Sequence, residues 1–164
     1  MNDRLKFRAV LKTDTHSIIA EPYYIFDNGY FVNIDDVQKP FEKKYPDDCF
    51  WEFLEEIEKQ ENCQEVSTDG EIIIFDSFDG LMQCTGLKDK NGKLIYEGDI
   101  IQIPDDYDTY GMFAGEKREI YFNEGGFRLK PKWDKNSRGN WLEDTKDFEV
   151  IGNIYENKEL LNEI

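Results

Sequence analysis

The sequence predicts a mainly β chain with one added helix, of the α+β class, and three observations carry that prediction. Short apolar segments recur through the second half at roughly ten-residue spacing, with glycine and asparagine turns between them, the pattern of a small antiparallel barrel or sandwich. The best helical spacing of apolar residues is in a single segment beginning at Phe50. Aromatic residues make up 15% of the 164 positions, enough ring area for a packed core. A mean hydropathy of -0.72 does not offset that supply.

Leu5 to Leu11 alternates apolar and polar residues, as a strand buried on one face does. Thr13 to Ser17 is a polar turn, followed by a short apolar run to Ala20. Tyr23–Phe26 and Tyr30–Ile34 flank Asp27-Asn28-Gly29 and read as a hairpin, because Asn and Gly tolerate positive φ. From Phe50 to about Glu61, within 48–62, the residues Phe50, Phe53, Leu54 and Ile57 fall at i, i+3, i+4 and i+7. Asp47 and Asp48 are placed to cap this helix. Glu52, Glu56 and Glu58 fill its outer surface, Glu55 stands at i to Lys59 at i+4 in the favourable order, and Trp51 lies at the edge of the stripe.

Glu71–Phe75 reads as a strand, and Leu81–Thr85 as another that stops at Gly86. Asp89–Gly92 is an Asn-Gly turn, and Glu97-Gly98 bends the chain between Leu94–Tyr96 and Asp99–Ile103. A loop runs from Pro104 to Gly115. Two strands, Lys117–Phe122 and Gly126–Lys130, are joined by Asn123-Glu124-Gly125. A polar excursion from Lys132 to Asn140 precedes a last strand, Phe148–Tyr155. Asn157 is placed to cap a short terminal helix. The expected organisation is a β-rich segment with an acidic helix over 1–79 and a small barrel over 80–164, with the strand at 5–11 as its completing member.

The net charge is -16, from 36 acidic and 20 basic residues. Pro46 to Gly80 holds twelve acids against Lys59 alone, a net of -11, which leaves -5 to the rest. Direct nucleic-acid binding needs a basic face, since its affinity comes largely from counterion release, so this balance argues against it. The acidic block suits either a solvated surface or a docking face for a basic partner. Cys49, Cys63 and Cys84 form an odd set without CxxC spacing, which predicts reduced thiols and a cytoplasmic setting. No apolar signal core or membrane-length run is seen, so no membrane role is expected.

At Lys6–Ala9 (KFRA), Leu81–Ile100 (LMQCTGLKDKNGKLIYEGDI) and Val150–Leu161 (VIGNIYENKELL) the chain resembles the YopX-like proteins of phages and prophages. The resemblance is specific over about the second half and weak from Lys12 to Asp79. It implies an SH3-type β-barrel built around the second and third blocks, encoded in a phage or prophage and found in the bacterial host. The family brings no established activity, so no catalytic residue is transferred. This chain departs from the pattern at Val10, where a Trp is common, and in its long acidic segment.

Motifs for chemistry fail one by one. With Gly92 as the sixth position of a calcium loop, Leu87 would be first and Gly98 twelfth, and neither can serve. Asp89, Asn91, Glu97 and Asp99 fit better as turn-fixing residues. His16, the only histidine, stands in a polar turn and is expected to be exposed. No phosphate loop is visible, and no metal or cofactor is expected.

The expected role is therefore a non-catalytic accessory function through protein contacts, with a basic or DNA-binding host factor as partner. The candidate contact residues are Trp51, Glu52, Glu55, Glu56, Glu58, Tyr107, Tyr110 and Phe113. One alternative is a nucleic-acid-associated barrel using Arg118, Arg128, Lys130, Lys132 and Trp133, with Tyr121, Phe122 and Phe127 as stacking rings. A carboxylate-based metal-dependent enzyme is the other, and it has the least support. Trp141 reads as a packing residue, and open sheet edges would let copies of the chain pair as a homo-oligomer.

Overall fold

The computed structural model describes residues 6–21, 23–25, 29–67, 72–75, 80–106, 114–131, 137–142 and 145–162, with the backbone alone for 23–25, 29, 72 and 75. The chain divides into two units, one of Phe7–Leu81 and one of Met82–Ile164 with Met1–Lys6.

In the first unit, β1 (Phe7–Lys12) and β2 (Ser17–Ala20) form an antiparallel hairpin, with Ala9 opposite Ala20 and Leu11 opposite Ile18. These four side chains are buried, as the alternation requires. The hairpin β3 (Tyr23–Ile25) and β4 (Gly29–Asn33) is present, while Asp27 and Asn28 lie outside the described residues. β5 (Cys63–Ser67) and β6 (Ile72–Phe75) complete an antiparallel sheet in the order β3-β4-β6-β5.

Among the described residues there are two α-helices, where the sequence predicted one besides the short terminal helix. α1 spans Ile34–Lys44 and buries Ile34, Val37 and Phe41. Pro40 inside it hides the helical pattern, because proline removes one i→i−4 bond. Pro40 and Asp36 are both exposed, so water can satisfy the carbonyl left over. Asp35 in the first turn pairs with Lys39 at 3.0 Å, and Lys43 and Lys44 close the last turn, in keeping with the helix dipole.

α2 (Phe50–Glu58) buries Phe50, Phe53, Leu54 and Ile57, the stripe read from the sequence. Its N-cap is Cys49 rather than Asp47 or Asp48. These apolar residues of both helices join Leu11, Ile18, Val32 and Ile73 in one core. Each fully buried side chain of this size stabilises the fold by roughly 1.5–3 kcal/mol.

In the second unit, β7 (Met82–Lys88) pairs with β8 (Leu94–Tyr96), and the strand continues past Gly86 with a register irregularity instead of stopping there. β9 (Asp99–Gln102), β10 (Lys117–Asn123), β11 (Gly126–Leu129), β12 (Asn140–Trp141) and β13 (Glu149–Asn153) form an antiparallel sheet in the order β12-β11-β10-β9-β13. The β10–β11 turn places Glu124 (φ 48°) and Gly125 (φ 82°) both in the left-handed region, the mirror-image turn that matches strand twist. Ile95, Ile101, Ile103, Ile120, Leu129, Leu142, Phe148 and Val150 form the core.

The terminal segment makes a 3-10 turn at Lys158–Leu161, and Asn157 accepts a bond from the Asn153 N–H at 3.3 Å rather than capping it with its side chain. A Cβ on Gly152 would fall 2.6 Å from Asn157 Oδ1, so this close return of the chain requires glycine. Among the described residues, no helix is long and apolar enough to cross a membrane.

Candidate functional site

The outward face of α2 follows directly from its amphipathic spacing. Burying Phe50, Phe53, Leu54 and Ile57 turns Trp51, Glu52, Glu55, Glu56 and Glu58 away from the core, and all five are exposed. Trp51 keeps 55% of its surface in contact with solvent and touches Phe50 at a ring separation of 5.8 Å. Trp51, Glu55 and Glu58, at i, i+4 and i+7, make one ridge along the helix. Among the described residues, none of the four carboxylates forms an ion pair. The other half of the expected contact set, Tyr107, Tyr110 and Phe113, lies outside the described residues.

The expected basic cluster is largely occupied within the second unit. Arg118 is buried, donates from Nε to Glu116 at 2.6 Å and from Nη1 to the Lys130 carbonyl at 2.9 Å. Arg128 is buried and donates to the carbonyls of Asn123 and Gly139 at 3.3 and 3.0 Å. Lys130 pairs with Glu119 at 2.7 Å. Lys132 and Trp133 lie outside the described residues. Tyr121 donates to the Arg138 carbonyl at 2.6 Å, and the exposed Phe122 meets Phe127 edge-on at 5.3 Å.

Trp141 is the ring that sequence reasoning underused. Its indole lies 3.6 Å from the Arg128 guanidinium and stays 50% exposed. Gly126 makes the approach feasible, since a Cβ there would fall 2.1 Å from the indole Cζ3. The cross-strand pairing of Arg128 with Trp141 sets this contact, and no short-range signal reports it.

Asp89 sits at the start of the Asn-Gly turn and is 5% exposed. One carboxylate oxygen accepts the N–H groups of Asn91 and Lys93, each at 2.9 Å. The other accepts the Val150 N–H at 3.1 Å, so the turn ties down the outer strand β13. Burial opposes the charge, but the donors at Val150, Lys93 and Asn91 and the Lys93 ammonium outweigh it and hold the carboxyl below its ordinary range. Asp99, also buried, accepts the Tyr96 N–H at 2.9 Å across the Glu97-Gly98 bend. Tyr155 is pushed up, first by burial and then by the carboxylates of Glu97 and Glu119.

His16 is more enclosed than its turn suggested. Its ring packs against Phe41, Tyr45 and Phe53 at 5.2, 4.7 and 6.1 Å, and its side chain is 19% exposed. Nε2 lies 3.2 Å from Asp48 and Nδ1 2.7 Å from the Thr15 hydroxyl. The contact links the β1–β2 turn to the segment between α1 and α2. Cys49 is exposed, Cys84 is buried, and burial pushes the Cys63 thiol up. Among the described residues, no group of three or more His, Cys, Asp or Glu side chains converges as a metal site would require.

These features define a two-unit, mainly β protein whose turns and strand edges are fastened by buried polar residues and whose most exposed ring among the described residues lies on an acidic helix. The chain belongs to the YopX family: the family model, described as YopX protein, matches residues 27–162. Among solved structures, protein EF1440 from Enterococcus faecalis is similar, with 27% identity, coverage of 95% of this chain and 96% of that one, and a TM-score of 0.46. No curated protein matches the chain.

Proposed function

We propose that this chain is a phage- or prophage-encoded accessory protein of the bacterial cytoplasm that acts without catalysis, by docking the outward face of α2 on a basic protein partner. The observation that carries this reading is Trp51, a large ring 55% exposed at the N-terminal end of an acidic helix face. An exposed aromatic beside uncompensated charge is what a contact surface retains and a purely solvating surface does not need. The net of -11 over Pro46–Gly80 adds long-range attraction for a cationic partner, such as a DNA-binding host factor. The phage setting rests on the family resemblance, and so does an SH3-type barrel for the second unit, to which its five-stranded antiparallel sheet lends support. The nucleic-acid alternative draws less support, because Arg118, Arg128 and Lys130 already have partners inside the fold.

A pull-down from bacterial lysate tests the reading. A saturable partner is expected, and its binding should weaken when Glu52, Glu55, Glu56 and Glu58 are changed together to Gln, and also as salt is raised. Capture that ignores both changes would remove α2 as the docking face.

A further inference from the structure

We infer that the α2 face selects arginine over lysine in the segment it docks. The inference rests on the contact reading above and deepens it. Trp51, Glu55 and Glu58 fall on one ridge, at i, i+4 and i+7, with the indole exposed at its N-terminal end and the carboxylates exposed beyond it. A cation reaching this ridge meets a ring face and carboxylate oxygens within the same two turns of helix. A guanidinium can use both at once, because it stacks flat on the indole while its in-plane N–H groups donate to a carboxylate. An ammonium is compact and strongly hydrated, so ring contact costs it hydration that the guanidinium gives up more readily.

The chain contains an example of the stack. Arg128 lies 3.6 Å from the Trp141 ring while its N–H groups donate to the carbonyls of Asn123 and Gly139. That site is closed, with Arg128 buried. The two rings are similarly exposed, at 55% for Trp51 and 50% for Trp141. They differ in that Trp141 is stacked by an arginine of its own chain, whereas the groups one and two turns beyond Trp51 are carboxylates that complement a partner's guanidinium.

Two capped glycine–serine peptides test this, one carrying three arginines and one three lysines at the same positions. Each is titrated calorimetrically at low salt into the full chain, into Trp51→Ala, and into the four-fold Glu→Gln variant. The arginine peptide should bind about five-fold more tightly than the lysine peptide, consistent with an exposed cation–π contact plus paired hydrogen bonds. That ratio should fall to about one in Trp51→Ala and persist in Trp51→Phe. Equal affinities for the two peptides, both lost in the Glu→Gln variant, would overturn arginine selection and leave the acidic contact face standing. Failure of both peptides to bind, or binding unchanged in the Glu→Gln variant, would overturn the contact face and the inference with it.

Discussion

Replacing Asp89 by asparagine should destabilise the second unit by about 2 kcal/mol, because it removes the charge from three hydrogen bonds and leaves only one good acceptor oxygen. Alanine should cost more, about 3 kcal/mol. The N–H groups of Asn91 and Lys93 can turn to water, whereas the bond to Val150 is buried and its loss carries most of the penalty. For a chain of this size, the asparagine variant corresponds to a melting shift of about 4–8 °C. The pH dependence gives the sharper test. The folded carboxyl sits below its ordinary range, so its stabilisation is complete above about pH 4, where the unfolded carboxyl is also ionised. It is then lost as pH falls through the folded value. Urea unfolding of wild type and Asp89→Asn at pH 7 and at pH 3 should show the gap shrinking in acid, with the exposed Asp106→Asn as control. A gap below about 0.5 kcal/mol at pH 7, or one that is equal at both pH values, would refute the tie between the turn and β13.

The remaining expectations concern both units. Gly126→Ala should displace the Trp141 indole and cost about 1–3 kcal/mol, and adding Trp141→Ala should recover part of that loss in the same unfolding assay. On α2, Phe53→Ala should cost about 3–5 kcal/mol because it empties a site that is 1% exposed, whereas Trp51→Ala should stay within about 0.5 kcal/mol. Thermal unfolding followed by circular dichroism separates the two. With a thiol reagent under native conditions, Cys49 should react first, Cys63 more slowly, and Cys84 only on unfolding. Mass spectrometry of peptides taken at successive times gives the order.

What the sequence conceals is where distant parts of the chain meet. α2 is legible because Phe50, Phe53, Leu54 and Ile57 satisfy one period over two turns without interruption. α1 is obscured by Pro40 and by a thinner stripe, although Asn33, the acids at 35 and 36 and the spacing of Ile34, Val37 and Phe41 together mark it. β5 lies in the acidic stretch and has no clean alternation, so only its pairing with β6 makes it a strand. The turn role of Asp89 can be read from local spacing, yet its bond to Val150 spans too much sequence to be seen. Trp141 likewise depends on β11 bringing Gly126 and Arg128 beneath it. His16 looked solvent-facing because its neighbours in sequence are polar, whereas Phe41, Tyr45 and Phe53 arrive from the helices. The acidic face was legible from composition, and its outward orientation from the apolar stripe that fixes the opposite side of α2.

The most direct test of a contact function on α2 is an NMR titration of the isotope-labelled full chain with the arginine peptide, following the three indole N–H signals together with the backbone amides. The Trp51 indole and the amides of Glu52–Glu58 should shift progressively and saturate, and the Trp141 indole should stay in place. Shifts centred on Trp141 and Phe122, with α2 unmoved, would contradict the reading and transfer the contact surface to the second unit.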